Sequence, residues 1–424
     1  MKLNCNVDVR HLTRVEGHGN IRIEIKDGKV RQAKWEVVET PRFFEAMLVG
    51  KHWENAPWIC GRICGICSIG HTLASIRAIE NAFGITPTEQ TAKLRLLLKH
   101  METLQSHILH LYFLAAPDFV GAGSVLPLIE SHPDVVHRAA RMKLLANDVC
   151  DLIGGRRLHP TTTVVGGFTM LPDRQALDAA KTRLKDSVPD LIATAELFKT
   201  FKIPAFTRET EFVSLKGAGS YPFIGGDLVS TDGVVARESE YRRMTNEYMV
   251  PQSTSKWSKL SRESFAVGAL ARLNNNYGFL HPLARQVAEG FGIAPVNHNP
   301  YMNNVAQLVE CVHVVAESID MIDTLLGAEW IEPRADVVPR AGMGVGAVEV
   351  PRGILYHCYE FDKKGKITAC DCVIPTSQNH ANIHHDIEAL ASWYSSQGRD
   401  DREIELLASM LVRAYDPCIS CSVH

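Results

Sequence analysis

Two C-x2-C doublets stand at opposite ends of this chain, one in Arg62-Ile63-Cys64-Gly65-Ile66-Cys67 and one in Asp416-Pro417-Cys418-Ile419-Ser420-Cys421. A two-residue spacer lets both sulfurs of a doublet turn to one side of a tight loop. Two doublets brought together can therefore enclose one soft metal or a small cluster. No other feature constrains the fold as much, because the last turn of the chain must return beside its beginning.

Eleven cysteines in 424 residues, most of them standing singly, do not read as a disulfide framework, and none is expected. The formal net charge of -3 gives no basic field of the kind nucleic-acid binding needs. Met1-Lys2-Leu3-Asn4-Cys5-Asn6 lacks the basic and apolar regions of a signal peptide, and no run of about 18 apolar residues offers a membrane span. A reducing, cytoplasmic setting is expected.

The pattern along the chain is α-rich α+β, a long central helical bundle with β ribbons near both termini. Ile21, Ile23 and Ile25 alternate with polar residues, Asp27-Gly28 supplies a turn, and Val30 to Val38 returns. Residues 71–83 read as helix. Thr86-Pro87-Thr88-Glu89 reads as N-cap, first-turn proline and capping-box glutamate of a long helix ending near Pro117. Further helices are expected over about 134–152, 173–198, 277–291 and 304–326, the last with Leu308, Val312, Val315, Ile319 and Ile322 on one face. An irregular or β-containing excursion is expected at about 208–257. A second β region follows from about Val345 to Thr376, turning at Asp362-Lys363-Lys364-Gly365, and a last helix runs from about Asp401 to Tyr415, stopped by Pro417. Three segments of one integrated unit result: 1–60 with the first ribbon, 61–343 with the bundle, and 344–424 with the second doublet.

Spacing alone also suits a structural zinc site. Against that stand the separation of the doublets, about 350 residues, and the number of potential proton carriers and anion binders expected around them: Glu16, His18, Arg62, His71, Asp118, Arg352, Asp416 and His424. Cys5, Cys60, Cys150, Cys311, Cys358, Cys370 and Cys372 are read as unligated thiols, the common state of buried single cysteines.

The ordered segments carry a resemblance over essentially the full length. They are Arg14-Val15-Glu16-Gly17-His18-Gly19, Pro41-Arg42-Phe43-Phe44-Glu45, the first doublet with His71, and His107 to Tyr112 running on to Asp118. Then come Gly154-Gly155-Arg156 to His159-Pro160, Gly268 to Arg272, Pro351-Arg352-Gly353, Pro375-Thr376 and Asp416 to His424. The chain resembles the large, catalytic subunit of nickel-iron hydrogenases, most of all their cytoplasmic, cofactor-coupled group.

The resemblance implies that Cys64, Cys67, Cys418 and Cys421 bind nickel, with Cys67 and Cys421 bridging to an iron that carries one carbonyl and two cyanides. Pro351, Arg352 and Thr376 match the surroundings of those diatomic ligands, and His71 a hydrogen-bond donor toward a cluster sulfur. The implied reaction is reversible heterolytic cleavage of dihydrogen. Cys418 accepts the proton and passes it to Glu16, and Arg352 with Asp118 is a second candidate for assisting the split. Glu45, the carbonyl of Cys372 and the side chain of His424 correspond to a magnesium or iron site. The ending at His424 resembles a mature form released by a maturation endopeptidase.

No second cysteine set remains for an iron-sulfur cluster. An iron-sulfur small subunit is the implied partner, with further flavin or heterodisulfide-reductase type subunits leading to NAD(P), deazaflavin F420 or ferredoxin. Three alternatives stay open: a membrane-bound energy-converting hydrogenase, a complex I-like subunit without metal chemistry, and a structural-zinc protein.

Overall fold

The computed structural model describes residues 4–397 and 401–424. Residues 1–3, part of the amino-terminal segment considered for leader features, lie outside it. Strand β1 (Cys5–Val9) pairs antiparallel with β2 (Gly19–Lys26), which pairs with β3 (Lys29–Val37). Ile21, Ile23 and Ile25 are buried while Arg22, Glu24 and Lys26 face water, the two-residue period of a half-buried strand. Asp27 and Gly28, with φ of 54° and 72°, form the left-handed pair that a two-residue hairpin requires. The hairpin was legible in the sequence; β1, only five residues long, was not singled out.

Helix α1 (Ser68–Phe83) starts directly after Cys67 and ends at Gly84, whose left-handed conformation sends its N–H back to the Glu80 carbonyl. Helix α2 (Glu89–Leu109) is capped by Thr88, whose hydroxyl accepts from the Thr91 amide at 3.1 Å. The expected cap at Thr86 is therefore corrected by two residues: Thr88 offers the same hydroxyl chemistry one step after the proline. Past Leu109 the helix widens into a π turn over His110–Ala115 and closes with Ala116–Phe119, carrying Asp118 inward.

Helices α3 (Pro133–Gly154), α4 (Arg174–Lys199) and α6 (Asn303–Gly327) complete the bundle, with α2 between α3 and α6. Asp173 caps α4. The excursion expected near 208–257 contains β4 (Glu211–Leu215) and the short strands Leu228–Ser230 and Val235–Ala236. Where one helix was expected over 277–291, there is α5 (Ala269–Asn276), a 3-10 turn and a shorter helix, Pro282–Gly290. Pro282 cannot continue the preceding ladder.

Strands β5 (Gly342–Val350), β6 (Gly353–Phe361) and β7 (Ile367–Val373) form an antiparallel meander, with α1 packed on β5. A Cβ on Gly346 would stand 2.1 Å from the Ala74 carbonyl oxygen, so only glycine lets helix and strand approach this closely. The meander is followed by α7 (Pro375–Ser395), a helix that the sequence pattern did not announce. Its buried face carries Gln378, Asn379, His380, Asn382 and His384, which blur the apolar period. Helix α8 (Asp401–Ala414) then leads to the second doublet. No helix among the described residues is long and apolar enough to cross a membrane.

Candidate metal centre

Cys64 and Cys67 lie on the loop between the short helix Ala56–Cys60 and α1. Cys67 occupies the N-cap position of α1, without a side-chain cap hydrogen bond. Its own amide donates to the Cys64 sulfur at 3.1 Å. The second doublet is anchored on the segment around Glu16: Glu16 pairs in parallel with Cys418, and the Ile419 amide donates to the Glu16 carbonyl at 2.9 Å. Gly17, at φ 84°, makes the approach possible. A Cβ there would stand 2.8 Å from both the Ile419 Cβ and the Ser420 nitrogen.

All four sulfurs are buried. Cys64 Sγ lies 3.8 Å from Cys418 Sγ, and the ligand atoms of Cys64, Cys67 and Cys421 lie within 4.8 Å of one another. Cys418 and Cys421, with Cα atoms 5.4 Å apart, turn their sulfurs into the same crowded pocket and so complete a set of four candidate thiolate donors. The Cys67 thiol, by donating a hydrogen bond, lowers the pKa of the Cys64 thiol; burial opposes this and the Arg352 charge supports it. Cys67 is raised by that pairing and by burial.

Arg352 is buried beside these sulfurs. Its Nε donates to the Asp416 carbonyl at 2.7 Å and its Nη2 to Asp416 Oδ1 at 2.9 Å, while Nη1 is buried with no protein partner among the described residues. An orphaned guanidinium donor in the neighbourhood of the Cys64 and Cys67 sulfurs is a place for a ligand that accepts hydrogen bonds. Burial pulls the Arg352 pKa down, but Asp416 and the neighbouring thiols outweigh it and keep the side chain charged. Thr376 Oγ1 accepts from the Cys418 amide at 3.0 Å, leaving its own proton free to donate. Arg272 holds the preceding residues, donating to the carbonyls of Val350 at 3.0 Å and Pro351 at 3.2 Å.

Glu16 stands at the edge of the pocket. Its Oε2 is 3.2 Å from Cys418 Sγ and accepts from the Ser420 amide at 3.1 Å, while the Ser420 hydroxyl donates to Oε1. Asp118 does not meet Arg352. It is bound by Arg14 and, at 2.9 and 3.0 Å, by Arg413, so the carboxylate paired with Arg352 is Asp416. Asp416, at φ 50°, is a strained residue held by Arg352 and by Gln307 Nε2 at 3.3 Å. Its position next to Pro417 was visible in the sequence, but its pairing was not. Arg42 was also missed as a structural tie: its Nη2 donates to the carbonyls of Ile63 and Ser420 at 2.8 and 2.6 Å, joining both doublets.

His71 is buried, and its Nδ1 pairs with His357 Nε2 at 3.1 Å. Burial, with the nearby His357, keeps its imidazole neutral by lowering its pKa. A second group of donors comprises Glu45, Cys372 and His424, whose ligand atoms lie within 4.8 Å of one another. Burial raises the Glu45 pKa, but the His424 hydrogen bond and charge and the Cys372 amide outweigh it, so the carboxyl titrates low.

The family described as nickel-dependent hydrogenase matches residues 42–132 and 253–424. A second family, described as HoxL-like, matches residues 6–40. The chain is 35% identical to the alpha chain of sulfhydrogenase 1 from Pyrococcus furiosus, over 99% of this chain and 97% of that protein. It is 30% identical to a polypeptide of the F420-non-reducing hydrogenase from Methanothermobacter thermautotrophicus, over 97% and 93%. Among solved structures, an NAD+-reducing NiFe hydrogenase in its H2-reduced state superposes over the whole of both chains with a TM-score of 0.87 and 26% identity.

Proposed function

The chain belongs to the nickel-dependent hydrogenase family as its catalytic large subunit, and on that premise we propose that Cys64, Cys67, Cys418 and Cys421 hold a nickel-iron centre. Cys67 and Cys421 would be the two sulfurs that hold the iron as well. The donor set fits: buried thiolates suit soft first-row metals. The unpartnered Nη1 of Arg352 and the free hydroxyl proton of Thr376 would suit hydrogen-bond-accepting cyanides on the iron, and Pro351 would help line the same pocket. When bound, the centre supplies heterolytic cleavage and formation of dihydrogen.

The protein's own residues handle the proton. Cys418 Sγ takes it, and Glu16 Oε2, at 3.2 Å, receives it from the sulfur. The Ser420 amide keeps that oxygen aimed at Cys418, and the Ser420 hydroxyl holds the other. This contact between Glu16 and Cys418 is the single observation that carries the reading. Arg352, locked by Asp416, fixes the opposite wall. Asp118, clamped by Arg14 and Arg413, positions the residues next to Glu16 and has no direct part in the split. His71 ties to the first doublet through its backbone amide, which donates to the Cys67 carbonyl at 3.2 Å, while its ring is held by His357. Glu45, Cys372 and His424 hold a third divalent cation.

Electrons leave through an iron-sulfur small subunit. The relatives named for sulfur, F420-non-reducing and NAD-reducing activities support a cytoplasmic complex whose further subunits reach a soluble acceptor such as NAD(P) or a heterodisulfide reductase. Metal analysis and infrared spectroscopy of the purified complex test the proposal. Nickel and iron with one carbonyl and two cyanide bands that respond to dihydrogen are expected; zinc without such bands would sink it.

A further inference from the structure

The third metal site has a donor set that does not suit magnesium. Magnesium demands near-octahedral oxygen ligation and retains several waters. Here one carboxylate, one imidazole and one thiol converge from three separate elements: Glu45 on the helix Phe44–Leu48, Cys372 on β7 and His424 beyond the second doublet. The three ligand atoms lie within 4.8 Å of one another, a span that one ion can gather with small side-chain movements.

Each donor is already oriented. His424 Nδ1 lies 3.2 Å from the Cys421 carbonyl, so it carries the proton and leaves Nε2 as the lone-pair nitrogen, 3.5 Å from Glu45 Oε1. The Cys372 amide donates to Glu45 Oε1 at 2.7 Å and fixes that carboxylate. The Cys372 side chain is fully buried, 3.6 Å from His357 Nδ1 and 3.9 Å from the Cys370 sulfur. Behind it, Tyr359 Oη lies 2.7 Å from that same His357 nitrogen and 3.1 Å from the Cys60 sulfur. Sulfur and imidazole thus form the inner wall, while Glu45, at 31% side-chain exposure, opens a fourth position to water. Carboxylate, imidazole and thiolate are the three ligand types of zinc, and first-row transition ions exceed magnesium in affinity for such a set.

We propose that this site takes a borderline-soft divalent transition ion, zinc or ferrous iron, bound through the Cys372 thiolate with Glu45 and His424, in place of magnesium bound through the Cys372 carbonyl. Binding releases the thiol proton and ties the last residue of the chain to β7, which anchors the turn carrying Cys421. Cys372 becomes a metal ligand by its side chain, contrary to its sequence reading as an unligated thiol. The inference rests on the assignment of Glu45 and His424 as ligands and is independent of the acceptor of the enzyme.

The test uses the intact complex. Metal quantification is expected to give one zinc, or one iron beyond the nickel-iron centre and the clusters, with magnesium well below one per chain. At the zinc edge, X-ray absorption is expected to show a sulfur neighbour at about 2.3 Å. Where iron fills the site, chelator treatment and reloading with cobalt(II) separates it from the other irons: a thiolate-to-cobalt absorption band is expected, lost in Cys372→Ser and kept in Cys370→Ser. The wild-type X-ray absorption and cobalt spectra stand even if Cys372→Ser fails to fold. One magnesium per chain, or cobalt bound without a thiolate band, overturns the proposal. Absence of any third metal overturns it together with the assignment of Glu45 and His424, while intact carbonyl and cyanide bands would leave the nickel-iron reading in place.

Discussion

Replacing Arg272 by methionine is expected to be among the most damaging single changes outside the sulfur pocket. The guanidinium is fully buried and bonds Glu310 through Nε and Nη2, both at 2.6 Å, and Glu349 through Nη1 at 3.0 Å. Glu310 also accepts from Tyr221 at 2.8 Å and meets His107 at 2.8 Å. Burial raises the pKa of both carboxyls. For Glu310 the Arg272 charge and hydrogen bonds reverse this and hold it low, whereas Glu349 stays raised. Arg272→Met strands two buried carboxylates, and breaking a buried pair costs about 3–5 kcal/mol. The lost donors to the Val350 and Pro351 carbonyls add about 1 kcal/mol each. Against a typical total of about 5–15 kcal/mol this is a large fraction. The same loss frees the segment that carries Arg352, so cyanide stretches should broaden.

The assay is a double-mutant cycle of Arg272→Met and Glu310→Gln in the purified complex, read as shifts of the denaturation midpoint. The double variant is expected to be milder than the sum of the singles, because both charges leave together. Glu349, whose folded pKa is raised, contributes stability when protonated, present below its unfolded value and lost as pH rises through the folded one. The Arg272→Met deficit should therefore shrink in acid. A loss below about 1 kcal/mol, or single effects that add within about 0.5 kcal/mol, would refute the idea that these groups act as one unit.

Glu16→Gln keeps an acceptor for the Ser420 amide but removes the carboxylate, so hydrogen-deuterium exchange with solvent should fall about 100-fold or more with nickel content unchanged; an unaltered rate would dismiss Glu16 as proton acceptor. Gly17→Ala combines a strained φ with two contacts at 2.8 Å. Metal insertion should drop sharply, and full nickel occupancy in this variant would contradict the close-approach argument. His100 and His380 have pKa values lowered by burial to about 4 and about 3. Both are neutral when folded and protonated when unfolded between about pH 6.5 and 4, so each removes about 1.4 kcal/mol per pH unit on acidification through that window. Stability independent of pH there would show that these histidines already ionise in the native state.

Much of the centre was legible because its signals are local. The Cys64 and Cys67 doublet, the Cys418 and Cys421 doublet and the Asp27-Gly28 turn each depend on residues a few positions apart. Helix α7 was not legible, because its buried Asn379, His380 and Asn382 are stabilised by partners far along the chain: Asn379 accepts from the Val267 amide at 2.8 Å, and His380 meets Trp35 at 3.0 Å and Ser422 at 2.9 Å. Arg352 was foreseen at the site, yet its carboxylate partner was expected to be Asp118. Both acids lie in promising sequence, and only the positions of Arg14 and Arg413 divert Asp118.

By itself, the sequence supplied the four sulfur donors and most of the helices and strands, since residue type and short spacing set ligand softness and hydrophobic period, while the family came from the resemblance carried by the full ordered set of motifs. Tertiary structure alone decided that Glu16 lies on Cys418, that Arg42 joins the two doublets, that Asp416 locks Arg352, and that the Cys372 side chain turns toward Glu45 and His424. Those pairings span tens to hundreds of residues, and which buried donor meets which acceptor depends on how whole elements pack.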